Sequence, residues 1–166
     1  MPQKPSFTVA IGASAGGLSA LEAFFDHMPS DSGMAFVIIQ HLSPDFKSLM
    51  DDLLARHTEM AIHRVTSGIE LEADSIYLIP PKTRMTVAEG RLHLKEVGQG
   101  PPSDLPIDVF FSSLAADVGD RAMAVSTPTQ NCWGAYRWCG SGQRAMAAVF
   151  VYGPAGLPGM GLIPGR

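Results

Sequence analysis

Ser14 stands in Gly12-Ala13-Ser14-Ala15-Gly16, a Gly-x-Ser-x-Gly pattern. The apolar, partly β-branched run Phe7-Thr8-Val9-Ala10-Ile11 precedes it, and Gly17 and a helical pattern from Leu18 follow. Strand, glycine turn, helix is the geometry that lifts one side chain above the carboxyl edge of a parallel sheet. The helix start behind it offers free backbone N–H groups to a developing oxyanion. A second candidate, His41, follows the apolar run Ala35-Phe36-Val37-Ile38-Ile39 and Gln40. Residues just past the carboxyl ends of adjacent strands converge on one crevice. A serine hydroxyl is a poor nucleophile at its own pKa and needs such a base, itself oriented by a third group. The expectation is therefore Ser14 as nucleophile and His41 as general base. Taken singly, each has a plainer role, the serine as a helix cap and the histidine as a loop residue. Their joint placement favours catalysis.

Other chemistries fit the same residues less well. A dinucleotide-binding turn wants glycine where Ser14 stands and an acid at the end of the second strand, where the chain has Gln40-His41. A phosphate-binding loop would need Gly-Lys-Ser/Thr, which is absent. His27, His57, His63 and His93 form no i, i+3 or i, i+4 pair, so neither a metal nor a cofactor is expected.

The elements that must hold Ser14 and His41 are legible from periodicity. Leu18, Leu21, Phe24 or Phe25, and Met28 share one helical face, ended by Pro29-Ser30-Asp31-Ser32-Gly33. The uninterrupted apolar run at 35–39 suits a parallel strand covered on both faces. Ser43 as N-cap and Pro44 at the first helical position open a second helix, with Phe46, Leu49, Met50, Leu53 and Leu54 in step. Two strand–loop–helix units predict an α/β fold: a doubly wound, mainly parallel, three-layer sheet of Rossmann-like type with right-handed crossovers.

Between residues 61 and 97 the pattern shortens. Strands are expected at 61–65 and 75–79 with a turn at Ser67-Gly68. A small antiparallel hairpin is expected from Met85-Thr86-Val87 and Arg91-Leu92-His93-Leu94 around Ala88-Glu89-Gly90. Residues 98–106 read as a loop. Ile107, Phe110, Phe111, Leu114 and Val118 then mark a helix, and 122–125 a strand.

The 166 residues suffice for one domain with a real core. At 46% hydrophobic and 17% charged residues the chain should fold, and its net charge of −4 gives no reason to expect nucleic acid or an anionic membrane. No apolar run approaches the roughly 20 residues of a membrane span. Met1-Pro2-Gln3-Lys4-Pro5 has no leader signature, and Cys132 and Cys139 suggest neither zinc nor a disulfide framework. A cytoplasmic location is the default.

Past Asp120 the composition changes. All 16 acids and all five histidines lie at or before it, so residues 1–120 carry −8 and residues 121–166 carry +4. Both tryptophans and both cysteines crowd into Cys132-Trp133-Gly134-Ala135-Tyr136-Arg137-Trp138-Cys139. Residues 126–143 have neither helical nor strand periodicity. Residues 145–152 resemble a strand, and 153–166 should be irregular. Two accounts fit this tail: a loop-rich extension, or a stretch translated in a disturbed reading frame. The abrupt break favours the second. The expected organisation is an α/β domain over 1–125 and an atypical segment, 126–166, that completes it only in part.

The order of motifs resembles one family. Ile11-Gly12-Ala13-Ser14-Ala15-Gly16-Gly17-Leu18, Ile39-Gln40-His41-Leu42-Ser43-Pro44, Ile76-Tyr77-Leu78-Ile79-Pro80-Pro81 and Pro106-Ile107-Asp108-Val109-Phe110-Phe111-Ser112-Ser113-Leu114 are together similar to the catalytic domain of chemotaxis protein-glutamate methylesterases, the CheB type. The likeness spans residues 7–125, and Gln40 to Asp45 resembles forms fused to methyltransferase and sensor modules. It implies hydrolysis of γ-glutamyl methyl esters on the cytoplasmic helices of chemoreceptors, with glutamine deamidation in many members. The partners it implies are methylated receptor and the other modules of a fused signalling protein in chemotaxis and two-component phosphorelay. It places the nucleophile on Ser14 and the base on His41.

Two departures stand against it. Ala15 replaces a threonine common after the family's nucleophile. The loop that should carry the third triad residue reads Ser126-Thr127-Pro128-Thr129-Gln130-Asn131-Cys132, and no aspartate follows Asp120. Losing the orienting carboxylate costs about four orders of magnitude in serine proteases. Asp108 or Asp104 could substitute only by reaching His41; as helix-start acids, like Asp45, they have an ordinary role. The expectation is an impaired esterase, or a non-catalytic receptor-binding or scaffold module of the same descent. Residues 148–155 and 158–160 look family-like again, which fits a local disturbance of the frame.

Overall fold

The computed structural model describes residues 3–13, 17–40, 50–81, 83–96, 106–126, 148–152 and 158–162. The elements in chain order are β1 (Thr8–Ala13), α1 (Leu18–Asp26), β2 (Ala35–Gln40), α2 (Met50–Leu54), β3 (Ala61–Arg64), β4 (Ile69–Glu70), β5 (Ser75–Leu78), β6 (Thr83–Ala88), β7 (Arg91–Glu96), α3 (Pro106–Val118), β8 (Ala122–Ser126), β9 (Ala148–Tyr152) and β10 (Pro158–Leu162). The main sheet has the order β10-β9-β8-β1-β2-β5-β3. Its strands are parallel except β10, which returns antiparallel along β9. A small antiparallel sheet, β4-β7-β6, lies apart from it.

The expected three-layer α/β arrangement is what forms. One face of the sheet presents Val9, Ile11, Phe36, Ile38, Ile76 and Leu78 to Leu21 and Phe25 of α1 and Leu54 of α2. Phe36 meets Phe25 edge-on, with ring centroids 5.5 Å apart. The other face presents Ala10, Val37, Ile39, Tyr77, Ala122 and Ala124 to Phe110, Phe111 and Leu114 of α3 and to Met85, Val87 and Leu92 of the hairpin. Both faces of β2 are thus buried, which is why its sequence is a continuous apolar run rather than an alternating one. The small residues of β1 and β8 leave room for the phenylalanines of α3.

Several elements differ from the sequence expectation. The first strand runs two residues further, to Ala13. Pro106 opens α3 rather than closing the loop, a position where its missing N–H costs nothing. The turn at Ser67-Gly68 forms as expected, while β3 and β5 prove to be parallel neighbours, with β5 inserted between β2 and β3. The step between them is long enough to include β4, which joins the other sheet. The tail expected to be irregular contains β10, paired with β9 from Pro158↔Tyr152 to Leu162↔Ala148. Gly and Pro hide an edge strand from pattern reading because ladder bonds use the backbone. The expected start of the second helix at Ser43 and Pro44 lies outside the described residues, as do 127–147.

Tyr77 ties the two sheets together. Its hydroxyl donates to the Glu70 carbonyl at 3.1 Å and accepts from the Glu72 N–H at 2.9 Å. Burial pushes its pKa above the usual phenol value, the backbone bond from Glu72 opposing in part.

Candidate active site

The register fixes the frame around the two candidate residues. Gly12 pairs with Ile39 and Ala13 with Gln40 across β1 and β2, while Gly12 pairs with Ser126 across β1 and β8. The chain leaves β1 through α1 to β2 on one side and reaches β8 on the other. The carboxyl end of β1 is therefore a topological switch point, where doubly wound sheets open a crevice. Ser14 is the residue after Ala13 and His41 the residue after Gln40. Both lie outside the described residues, as do Ala15, Gly16 and Asp45.

What surrounds them is described. Ala13 is fully buried against the α1 side. Gly17 caps α1 without any side-chain cap bond, and its carbonyl accepts from the Leu21 N–H at 3.0 Å. The first turn of α1 thus keeps N–H groups that no capping side chain takes up, a start suited to negative charge. Across the crevice, the first turn of α3 presses on β1. A Cβ at Gly12 would meet Cδ1 and Cγ2 of Ile107 at 3.2 Å each. Gly12 is needed for this close approach rather than for an unusual φ. Sequence reading placed Ile107 on an apolar helix face but could not see that it wedges against the glycine two residues before Ser14. Only the tertiary packing carries that contact.

Asp108 follows Ile107 in the first turn of α3, with its Oδ1 shielded from solvent. That puts a carboxylate on the flank of the switch point. Asp104 lies outside the described residues. The remaining histidines have other surroundings. His27 Nδ1 lies 2.8 Å from the Ala23 carbonyl, and His57 Nδ1 lies 2.8 Å from Asp26 of α1. His63 stacks on Tyr77 at 5.2 Å, and His93 lies exposed on β7.

Comparison with known proteins agrees with this architecture. Residues 9–126 match the CheB methylesterase family. A protein-glutamate methylesterase/protein-glutamine glutaminase of Xanthomonas oryzae is 35% identical over 119 residues, covering 69% of this chain and 33% of that protein. One from Desulfitobacterium hafniense is 31% identical over 130 residues, covering 75% and 33%. An uncharacterised 104.1 kDa protein of Rhodobacter capsulatus is 51% identical over 81 residues, 46% of this chain and 8% of that protein. The crystal structure of the Thermotoga maritima CheB methylesterase catalytic domain superposes with a TM-score of 0.71 at 18% identity, covering 85% of this chain and 77% of that one.

A mainly parallel sheet with a switch point at β1 defines a doubly wound α/β domain. The chain belongs to the CheB methylesterase family. It spans about a third of the length of the protein-glutamate methylesterases it matches.

Proposed function

We propose that this chain is a protein-glutamate methylesterase domain acting on γ-glutamyl methyl esters of chemoreceptor helices in the cytoplasm, with Ser14 as nucleophile and His41 as general base. The observation that carries the reading is the register Ala13↔Gln40, which makes the serine and the histidine successive continuations of two adjacent strands inside the family-matched span. Among the described residues no helix is long and apolar enough to cross a membrane.

The chemistry follows from the groups. His41 removes the Ser14 proton as Oγ attacks the ester carbonyl, and N–H groups at the start of α1 stabilise the oxyanion. Collapse of the tetrahedral intermediate expels methoxide, which takes the proton from His41 and leaves as methanol. Water activated by His41 then cleaves the acyl-enzyme to glutamate and free serine. The same sequence on a glutamine side chain releases ammonia.

The missing third acid limits the rate. No Asp or Glu follows Asp120, so no carboxylate from the loop after β8 can orient His41. In this reading residues 126 to about 143 arose by a local frame disturbance, and the segment 126–166 completes the domain only in part. The strong match to a segment filling 8% of a 104.1 kDa protein supports a module of a larger fused signalling protein. The lost acid also favours a second reading, a receptor-binding scaffold without turnover.

One assay separates the two. Methanol release from methylated receptor is expected from this chain, slow and abolished by Ser14→Ala. Full activity in that variant would disprove the nucleophile. Equal receptor binding by both forms with no methanol from either would establish the scaffold instead.

A further inference from the structure

A cavity of about 370 Å³ opens where β1 and β8 begin. Thr8 is the first residue of β1 and pairs with Ala122, the first of β8, so this is the amino edge of the main sheet. The switch point lies a strand's length away, at the carboxyl edge. The two walls of the cavity differ in charge. On the sheet side stand Lys4 and Pro5 in the lead-in to β1, Thr8 itself, and Arg121 just before Ala122. Facing them are Glu70 and Leu71 of the β4 stretch, Glu89 and Gly90 of the hairpin turn, and Asp117 and Val118 at the end of α3.

Some of these groups are already spent. Arg91 neutralises Glu70 at 2.7 Å, and Asp117 uses both carboxylate oxygens on the Glu89 and Gly90 N–H groups. The side chains of Lys4, Glu89 and Arg121 have no ion-pair or hydrogen-bond partner among the described residues. Thr8 is the telling one. It is only 2% exposed, yet its hydroxyl has no hydrogen-bond partner among the described residues. Val9 packs toward α1, so by alternation Thr8 points, like Ala10, to the side of α3 and the hairpin. That is the side of the cavity. A buried hydroxyl without an acceptor is costly, and valine would suit the strand without that cost. An acceptor entering from outside removes it.

We propose that this cavity binds a small zwitterion, an α-amino acid with an apolar side chain. Its carboxylate accepts from the Thr8 hydroxyl and is drawn to Lys4 and Arg121. Its ammonium group faces Glu89, and its side chain rests among Pro5, Leu71 and Val118. A simple anion would meet the acids of the hairpin wall, and a simple cation would meet Lys4 and Arg121. A ligand carrying both signs answers both walls. The volume sits at the small end of ligand pockets, which span about 300–1,000 Å³. The site shares no residue with the esterase machinery and stands independently of that reading.

The test is a series of thermal melts of the full chain with three probes of one shape. They are L-leucine, isocaproate, which lacks the ammonium, and isoamylamine, which lacks the carboxylate. L-Leucine at millimolar concentration should raise Tm in a saturable way, as a ligand of the folded state does. Each of the other two should act with an affinity at least about ten-fold lower, because each forfeits a charge-assisted contact. Thr8→Val should hold or raise the Tm of the free chain, since it removes an unpaired hydroxyl, yet weaken leucine at least about five-fold. Glu89→Asn should likewise weaken leucine without lowering the Tm of the free chain. A purely structural role for Thr8 or Glu89 would leave the leucine response where it was. An absent response to L-leucine, an equal response to all three probes, or a full response in Thr8→Val would overturn the site.

Discussion

Gly12 and Ile107 make a contact with a measurable consequence. A methyl group at Gly12 meets two Ile107 carbons at 3.2 Å, closer than ordinary van der Waals contact. Either the isoleucine or the first turn of α3 must move. Gly12→Ala should cost about 1–3 kcal/mol by urea denaturation, the usual range for overpacking. In an Ile107→Ala background the added methyl has space, and the cost should fall close to zero. Strictly additive losses in that double-mutant cycle would show that the glycine is not there for the isoleucine. The contact matters because it sets how closely α3 approaches the carboxyl end of β1. By contrast the Gly-x-Ser-x-Gly pattern at Ser14 and the histidine that follows the apolar run of β2 are local patterns, visible in the sequence without any fold. Ile107 was readable only as apolar.

Among the elements, the hairpin is held by α3 rather than by its turn alone. β6 is an edge strand, and its Val87 N–H donates to Ser113 Oγ at 3.0 Å, while Ser113 Oγ donates to the Phe110 carbonyl at 2.8 Å. An edge covered in this way is closed to pairing with another chain. Glu89 and Gly90 both have positive φ, at 53° and 71°, as a type I′ turn requires. Glycine accepts that conformation freely, and glutamate does not. Glu89→Asn should stabilise the hairpin by about 0.5–1 kcal/mol, because asparagine tolerates the left-handed region far better. A thermal melt reads this as a raised Tm, and an unchanged or lower Tm would refute the strain at Glu89. The hairpin itself was evident from alternating residues around Ala88-Glu89-Gly90. Its packing on α3 was not, because Ser113 and Asp117 look like ordinary solvent-facing helix residues in the sequence.

For the whole molecule, the question is what the tail contributes. The family match stops at 126, yet β9 pairs with β8 through Val125↔Phe150 and Ser126↔Val151, and β10 pairs with β9. Deleting residues 127–166 would strip β8 of its outer neighbour and leave an open parallel edge. The truncated chain should give a larger aggregated fraction on size exclusion than the full chain at equal concentration. Equal elution of the two would mean that the tail does not protect the sheet. Covering an edge needs only backbone, so it places few demands on the sequence of the tail. Orienting a histidine needs one carboxylate at one place, and after Asp120 there is none to offer.

The sequence by itself determined the alternation of strand and helix, the apolar runs that lead to the Gly-x-Ser-x-Gly pattern and to His41, and the absence of an acid after Asp120. These are properties of neighbouring residues, and burial periodicity writes them directly into the chain. Tertiary structure alone decided that β5 lies between β2 and β3 and that α3 wedges against Gly12. Strand order and cross-strand register depend on which edges and faces are still free when distant segments meet. That competition is settled by backbone hydrogen bonds and packing volume, which no local pattern encodes.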